Sequence, residues 1–219
     1  PDMVKLFFAP LATVVIAAFL LFTVIGPLGR ALADIITYSL LWATTNLGIF
    51  GFMLFAGIQQ IIVITGIHHV IGAVEAQLIA DTGRNFIMPL MSVALIAQGG
   101  AVLGFLLLNW KDAKVKQICI SSFGSILFGI SEPAIFGVTL KNKFPLIAGC
   151  LGATLGGAYV YLTHVTAIGF GATAIPGIAI VAAEGNGHLN YIFAHLIALS
   201  AGFIFTYVYG KVKVKREVA

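Results

Sequence analysis

The sequence predicts an all-α polytopic membrane protein with about five transmembrane helices, an amphipathic interfacial helix and re-entrant hairpins. Three observations predict it. Of 219 residues 60% are hydrophobic and only 9% are charged, against roughly 25% charged in ordinary soluble domains. Five charge-free apolar runs have about the 20 residues that a spanning helix needs. Between them lie stretches too rich in Gly and Pro to continue as straight helices. The net charge of +4 does not point to nucleic acid, because the cations form no aromatic-interleaved basic face. They sit in short clusters between apolar runs, where they set topology.

The first run, Leu6 to Pro27, lacks a basic leader and a small-residue cleavage site, and the chain starts at Pro1 without an initiator Met. It is expected to be a piece of a larger protein. Residues 28–46 follow, "LGRALADIITYSLLWATTN", with Arg30, Asp34, Thr37 and Thr44 opposite Leu32, Ile36, Leu40 and Ala43. Polar groups at helical spacing against an apolar face predict an amphipathic helix lying in the membrane interface, with Trp42 at headgroup level. The second run is Leu47 to Ile67 and the third is Asn85 to Leu108, ending at "KDAKVK".

Residues 117–140 contain "ILFGISEPAIFGV". Here a proline removes a backbone donor, so the helix breaks. The fourth run, Phe144 to His164, carries "GCLGATLGG", a small-residue seam of the kind that lets helices approach closely in lipid. "TAIGFGATAIPGIAIVAAEGNG" is the second broken stretch, and irregular backbone at membrane depth is tolerated only where protein or a watery cavity satisfies it. The fifth run, Leu189 to Tyr209, ends against "KVKVKRE".

Five crossings with residues 117–140 as a re-entrant hairpin place Arg30, Lys111, Lys114, Lys116, Lys141, Lys143, Lys211, Lys213, Lys215 and Arg216 on the cytoplasmic side. Only Lys5 and Arg84 remain outside. A full crossing by 122–140 would put "KDAKVK" and "KNK" on opposite faces, so charge placement favours the hairpin.

Glu132 is the one acidic residue that this topology leaves in the hydrocarbon layer. A comparable group costs about 2.5–3.5 kcal/mol at a helix centre, so such residues face a cavity or a substrate path. With Pro133 beside it, Glu132 sits among free backbone groups and forms a hydrogen-bonding site. A second constellation, Gln59, Gln60, Thr65, His68 and His69, lies at the outer end of the second run. Adjacent helical histidines point about 100° apart and rarely share a metal. The candidate binding residues are therefore Glu132, His68, His69 and Gln60, for an uncharged polar ligand, with no metal and no cofactor. His164 and His188 are read as outer-face residues and His195 as a packing or hydrogen-bonding histidine. Glu75, Asp81 and Glu184 are read as solvated, and Cys119 and Cys150 as small core residues.

No nucleotide-binding motif and no glycosidase carboxylate pair is present, so energy comes from an ion gradient or from a partner. In the ion-coupled case Glu132 is the proton site of a symporter for that ligand.

Taken together, "GISEPAIFGVTL", "ITGIHHVIGAVEAQLI" and "IAQGGAVLG" resemble the membrane (IIC) component of the bacterial phosphoenolpyruvate-dependent sugar phosphotransferase system, glucose superfamily. His-His followed by "QLI" and "IAQG" is similar to the sucrose and trehalose branch, where the aryl-β-glucoside branch would carry His-Trp. The resemblance covers the whole chain as the carboxy-terminal, mostly substrate-binding, part of a IIC domain.

That resemblance implies a multi-pass protein of the bacterial cell (inner) membrane, a homodimer, and a disaccharide substrate, sucrose before trehalose or a related amino sugar. Glu132 matches the motif glutamate that bonds sugar hydroxyls, and His68 the first histidine of Gly-Leu-His-His. Gln60 stands where some maltose and N-acetylglucosamine members have Arg. The implied partners are a IIB domain, whose phosphocysteine donates to the sugar, and a IIA protein. The chain would be part of a sugar phosphotransferase without holding the donor itself.

Overall fold

The computed structural model describes residues 2–218; the side chains of residues 2–5, 7, 32, 33, 36, 37, 40 and 213–218 lie outside the described set. The faces assigned to Leu32, Ile36, Thr37 and Leu40, and the cations Lys5, Lys213, Lys215 and Arg216, thus lie outside the described residues. The chain divides into two compact units, Pro1–Ser39 and Leu40–Ala219.

In the first unit, α1 (Asp2–Leu20) passes through a single π-turn (Leu21–Ile25) into α2 (Gly26–Asn46) without a loop. Pro27 explains the π-turn. Its ring cannot fit over the carbonyl four residues back in a regular helix, and one wider turn relieves that clash locally. The span-length segment here, Phe8–Ala31, has no buried residue. Phe22 is 78% exposed, as a lipid-facing helix requires.

In the second unit, α3 (Ile49–Thr65) stops at Gly66, whose φ of 77° is the left-handed cap that glycine takes without penalty. Helix α4 (His68–Thr82) follows, then α5 (Ile87–Leu108) and α6 (Ala113–Leu127). Asp112 caps α6 by accepting from the Lys114 and Val115 amides at 2.9 and 3.1 Å. After a break come α7 (Glu132–Ala134), a π-turn (Ile135–Thr139) and α8 (Leu140–Asn142), then α9 (Phe144–Thr163). Residues 164–186 hold only the short α10 (Ala174–Gly177) and two 3-10 turns before α11 (Gly187–Val218). Isolated bridges Asn85–Ala167 and Ala167–Val181 are the β pairing seen among the described residues.

Among the described residues four helices are long and apolar enough to cross a membrane: Phe8–Ala31, Ile87–Leu108, Phe144–Thr163 and Glu184–Val212; Ile49–Thr65 is a shorter apolar fifth. These coincide with the five runs of the sequence and agree with a polytopic all-α protein. Helix α5 is apolar on every side and packs against α3, α6, α9 and α11, so nearly all of it is buried.

Helix α6 and the α7–α8 segment run back along each other. Ser122 Oγ donates to the Pro133 carbonyl at 3.1 Å. Nearer the base, Val115, Ile118 and Cys119 enclose one small cavity with Gly137, Lys141 and Asn142. Both ends of the segment thus lie on the same side of it.

The glycine seam of α9 is a three-way contact. A Cβ on Gly152 would stand 2.5 Å from the Gly202 amide nitrogen of α11, and one on Gly157 would stand 2.7 Å from the Phe52 carbonyl of α3. Backbone cannot yield as a side-chain tip can. Gly152→Ala is expected to cost about 1–3 kcal/mol of overpacking, read as a lower thermal midpoint of the detergent-solubilised protein. Gly124→Ala, with nothing within 4 Å of its Cβ, is expected to leave that midpoint unchanged or slightly raised.

Candidate functional site

One cavity of about 670 Å³ in the second unit collects the polar residues singled out in the sequence. Its walls include Gln59, Gln60, His68, His69 and Glu132, joined by Glu75, Ser131, Phe170 and Thr173. The volume lies within the range of about 300–1,000 Å³ of small-molecule sites. All four candidate binding residues therefore meet at one place. Three come from α3 and the start of α4, and Glu132 from the break after α6.

Local sequence explains the convergence. The chain leaves α6 at Phe128, and Ser125 O accepts from the Phe128 and Ile130 amides at 3.0 and 3.1 Å. Gly129 then takes φ 90°, and a Cβ there would come within 2.8 Å of Thr173 Oγ1. Glycine at this turn therefore lets the two broken stretches touch. Pro133 occupies the first turn of α7, where its missing donor costs nothing, and Glu132 stands at that helix start.

The hydrogen bonding of the cavity wall is incomplete. Gln60, 1% exposed, donates to Gln59 Oε1 at 2.5 Å, while Gln60 Oε1 is buried with no partner. His68 Nδ1 is likewise buried, with only a weak approach to the Val63 carbonyl. His68 Nε2 lies 3.9 Å from Glu132 Oε1, with the Glu132 side chain 46% exposed. That distance is too long for a hydrogen bond but leaves room for a ligand hydroxyl alongside both groups. Burial, aided by His69, holds the His68 pKa below its usual 6.5 against the pull of Glu132. A neutral imidazole both donates and accepts, as a ligand of hydroxyl groups requires.

The histidine rings do not diverge as ideal helical geometry predicts. They lie 4.0 Å apart, tilted by 38°, because the pair opens α4 directly after the turn at Gly66 and Ile67. His69 is exposed where His68 is partly buried.

Glu75 corrects the reading of a solvated residue. It is 3% exposed, and Asn85 Nδ2 donates to its Oε1 at 2.9 Å. Burial pushes its carboxyl pKa up, opposed by the Asn85 donor. Asn85 is itself fully used. It donates also to the Gly169 carbonyl at 3.1 Å and accepts from the Ile87 and Met88 amides, capping α5. Glu184 is exposed as expected but pairs with Arg84. The sequence held one signal for Glu75: it follows His68 by seven residues, two helical turns, and so shares its face. Phe170 and Thr173 gave no such signal, because only the folding of residues 164–186 brings them to the cavity.

His195 makes the hydrogen bonds assigned to it. Ser92 Oγ lies 2.6 Å from His195 Nε2 and 2.7 Å from the Tyr191 hydroxyl, and it accepts from the Ala174 amide at 2.7 Å. Tyr191 donates to the Ala174 carbonyl at 3.0 Å. The cluster pins α10 against α5 and α11. Cys119 is buried and Cys150 half-buried, both free thiols.

Residues 1–153 match the family model "Phosphotransferase system, EIIC". Over 209 residues the chain is 44% identical to the PTS system sucrose-specific EIIBC component of Bacillus subtilis (strain 168), covering 95% of this chain and 45% of that protein. Over 205 residues it is 43% identical to the PTS system sucrose-specific EIIBC component of Salmonella typhimurium, covering 93% of this chain and 44% of that protein. The PTS system sucrose-specific EIIBCA component of Pediococcus pentosaceus is 35% identical over 207 residues, 93% of this chain and 31% of that protein. The chain thus spans less than half the length of these relatives. No solved structure matches. With its apolar spans, it is a multi-pass protein of the bacterial cell (inner) membrane. The match across most of its length settles its kinship: the chain belongs to the EIIC family of the phosphotransferase system.

Proposed function

We propose that this chain is the carboxy-terminal, mostly substrate-binding, part (residues 1–219) of a sugar permease domain that binds sucrose and presents it for phosphorylation during translocation. The observation that carries this reading is one cavity in which the buried, unpartnered Gln60 Oε1 and the weakly bonded His68 Nδ1 stand beside the half-exposed Glu132. Unpaired buried polar atoms cost about 1–3 kcal/mol each. A ligand rich in hydroxyls offsets that cost, and the names of the relatives supply the sugar.

In this reading Glu132 and His68 accept and donate to sugar hydroxyls, His69 and Gln60 complete the wall, and Phe170 offers a ring face for stacking. Recognition is by directed, charge-assisted hydrogen bonds. The phosphoryl group comes from a cysteine of a IIB domain, recharged by IIA. Its S–P bond breaks as an O–P bond forms to the sugar, and the hydroxyl proton is released. The relatives named EIIBC and EIIBCA support such partners. Lipid and a second copy of the chain cover the unburied span of the first unit.

Residues 117–140 are proposed as a re-entrant hairpin and residues 28–46 as an amphipathic interfacial helix. The antiparallel run of α6 and the α7–α8 segment supports the first of these. Single cysteines at Lys114 and Lys143 are expected to react with a membrane-impermeant thiol reagent from the same face; labelling from opposite faces would refute the hairpin.

The function is tested by uptake of radiolabelled sucrose in cells carrying the full-length protein, with chromatography of the accumulated label. Sucrose phosphate that disappears when the phosphoenolpyruvate relay is removed is the expected product. Glu132→Gln is expected to lower uptake at least tenfold with the protein still in the membrane. Free sucrose that is lost with an uncoupler would make Glu132 a proton site instead.

A further inference from the structure

We propose that Glu75 is a second sugar-binding carboxylate of this cavity, with Asn85 as its positioning residue, and that the pair makes the site select a two-ring sugar over a single ring. The proposal deepens the sugar reading above and rests on it.

The geometry lies on one face of α4. His68, Gly72 and Glu75 are spaced by four and three residues and all three line the cavity. Seven residues of helix rise about 10 Å, so the cavity has two polar ends: His68 with Glu132 at one, and Glu75 with Asn85 at the other. Between them Gly72 contributes no side chain, and a Cβ there would meet nothing within 4 Å. The floor joining the two ends is open, and a backbone separation of about 10 Å matches the length of two linked rings.

Glu75 is built as a ligand group. Asn85 fixes Oε1, and all four hydrogen-bonding positions of the Asn85 amide are taken. Oε2 makes no hydrogen bond within the protein, and among the described residues no cation pairs with Glu75; nearby Arg84 is engaged with Glu184. A carboxyl group buried to this degree without a cation keeps its charge only where neutral donors reach it. Sugar hydroxyls that enter the cavity are such donors.

Two alternatives carry less. The apolar cavity around Ile96, Phe123 and His195 has nothing to identify an occupant. The buried Thr139 and Thr206 hydroxyls without partners line none of the cavities described above.

The test uses the full-length protein in its membrane, with the rate of sucrose phosphorylation measured against sucrose concentration. Glu75→Gln is expected to raise KM for sucrose at least tenfold with a smaller effect on kcat. A series of sucrose analogues, each lacking one hydroxyl, identifies the bonded group. One analogue should lose affinity in the wild type and lose nothing further in Glu75→Gln. Equal penalties in wild type and variant for every analogue, or an unchanged KM, would overturn the role of Glu75 while leaving the sugar reading intact. Failure of the wild type to phosphorylate sucrose would instead overturn the reading beneath it. If Glu75→Gln is absent from the membrane, Glu75→Asp serves, since it keeps the charge but withdraws it by one methylene. The same analogue should then be discriminated less than in the wild type, and undiminished discrimination would overturn the proposal.

Discussion

Everything in the second unit depends on one constraint: backbone that leaves helical geometry inside a bilayer protein must find hydrogen-bond partners within the protein. Helix α5 supplies them. Asn85 at its start and Ser92 two turns on both reach into the broken stretch that precedes α11. Asn85 pairs backbone to backbone with Ala167 and donates to Gly169, while Ser92 receives the Ala174 amide. Further along, Gln98 donates to the Leu146 carbonyl in the first turn of α9. The most buried helix is thus apolar by composition but anchors its neighbours through a few polar side chains.

The cavity is a by-product of those anchors. Were residues 164–186 a continuous helix, they would carry no exposed backbone and need no Asn85. As a loop, they fold over the start of α5 and place Phe170 and Thr173 opposite the Glu132 turn. The hairpin brings the carboxylate and the loop brings the far wall. Gly129, whose missing Cβ makes room for Thr173, is where the two breaks meet. Helix breaks that destabilise each segment alone become mutually supporting once together, which is why both occur in one chain.

Apolar run length made the spans legible in the sequence, because bilayer thickness sets a length that few other constraints impose. The first span is the instructive case. Composition suggests a crossing that ends at Pro27 and an amphipathic segment after it, whereas the span-length segment runs on to Ala31 and a π-turn at Leu21–Ile25 joins the helices without a loop; backbone hydrogen-bond slippage leaves no mark in composition. Glu132 and His68 were legible because each is anomalous in its surroundings. Glu75 was not, since a carboxylate near a helix end reads as solvated until the partner that buries it is known. That partner, Asn85, stands ten residues away behind a turn. Phe170 was hidden for the same reason: long-range loop placement is a property of packing, and the local pattern carries none of it.

The electrostatics of the cavity also bear on direction in the proposed reaction. Among the described residues that line it are two carboxylates, Glu132 and Glu75, and no Lys or Arg. A neutral sugar meets uncharged donors and acceptors there, from Gln60, His68, Ser131 and Thr173, as well as the two carboxyl groups. A sugar phosphate carries a charge of about −1.5 to −2 at neutral pH and meets the Glu132 carboxylate, with no cation to offset it, in a partly desolvated space. Like unit charges about 4 Å apart repel by about 4 kcal/mol at the effective dielectric of a protein surface. Even a fraction of that, acting on the product and not on the substrate, weakens product binding by more than tenfold, since about 1.4 kcal/mol is a factor of ten. In the proposed function, the side chains that would hold the sugar thereby weaken binding of its phosphate. Gln60 belongs to the same logic: an arginine in its place would attract the phosphate, whereas a neutral amide keeps the hydrogen bond and leaves the repulsion intact.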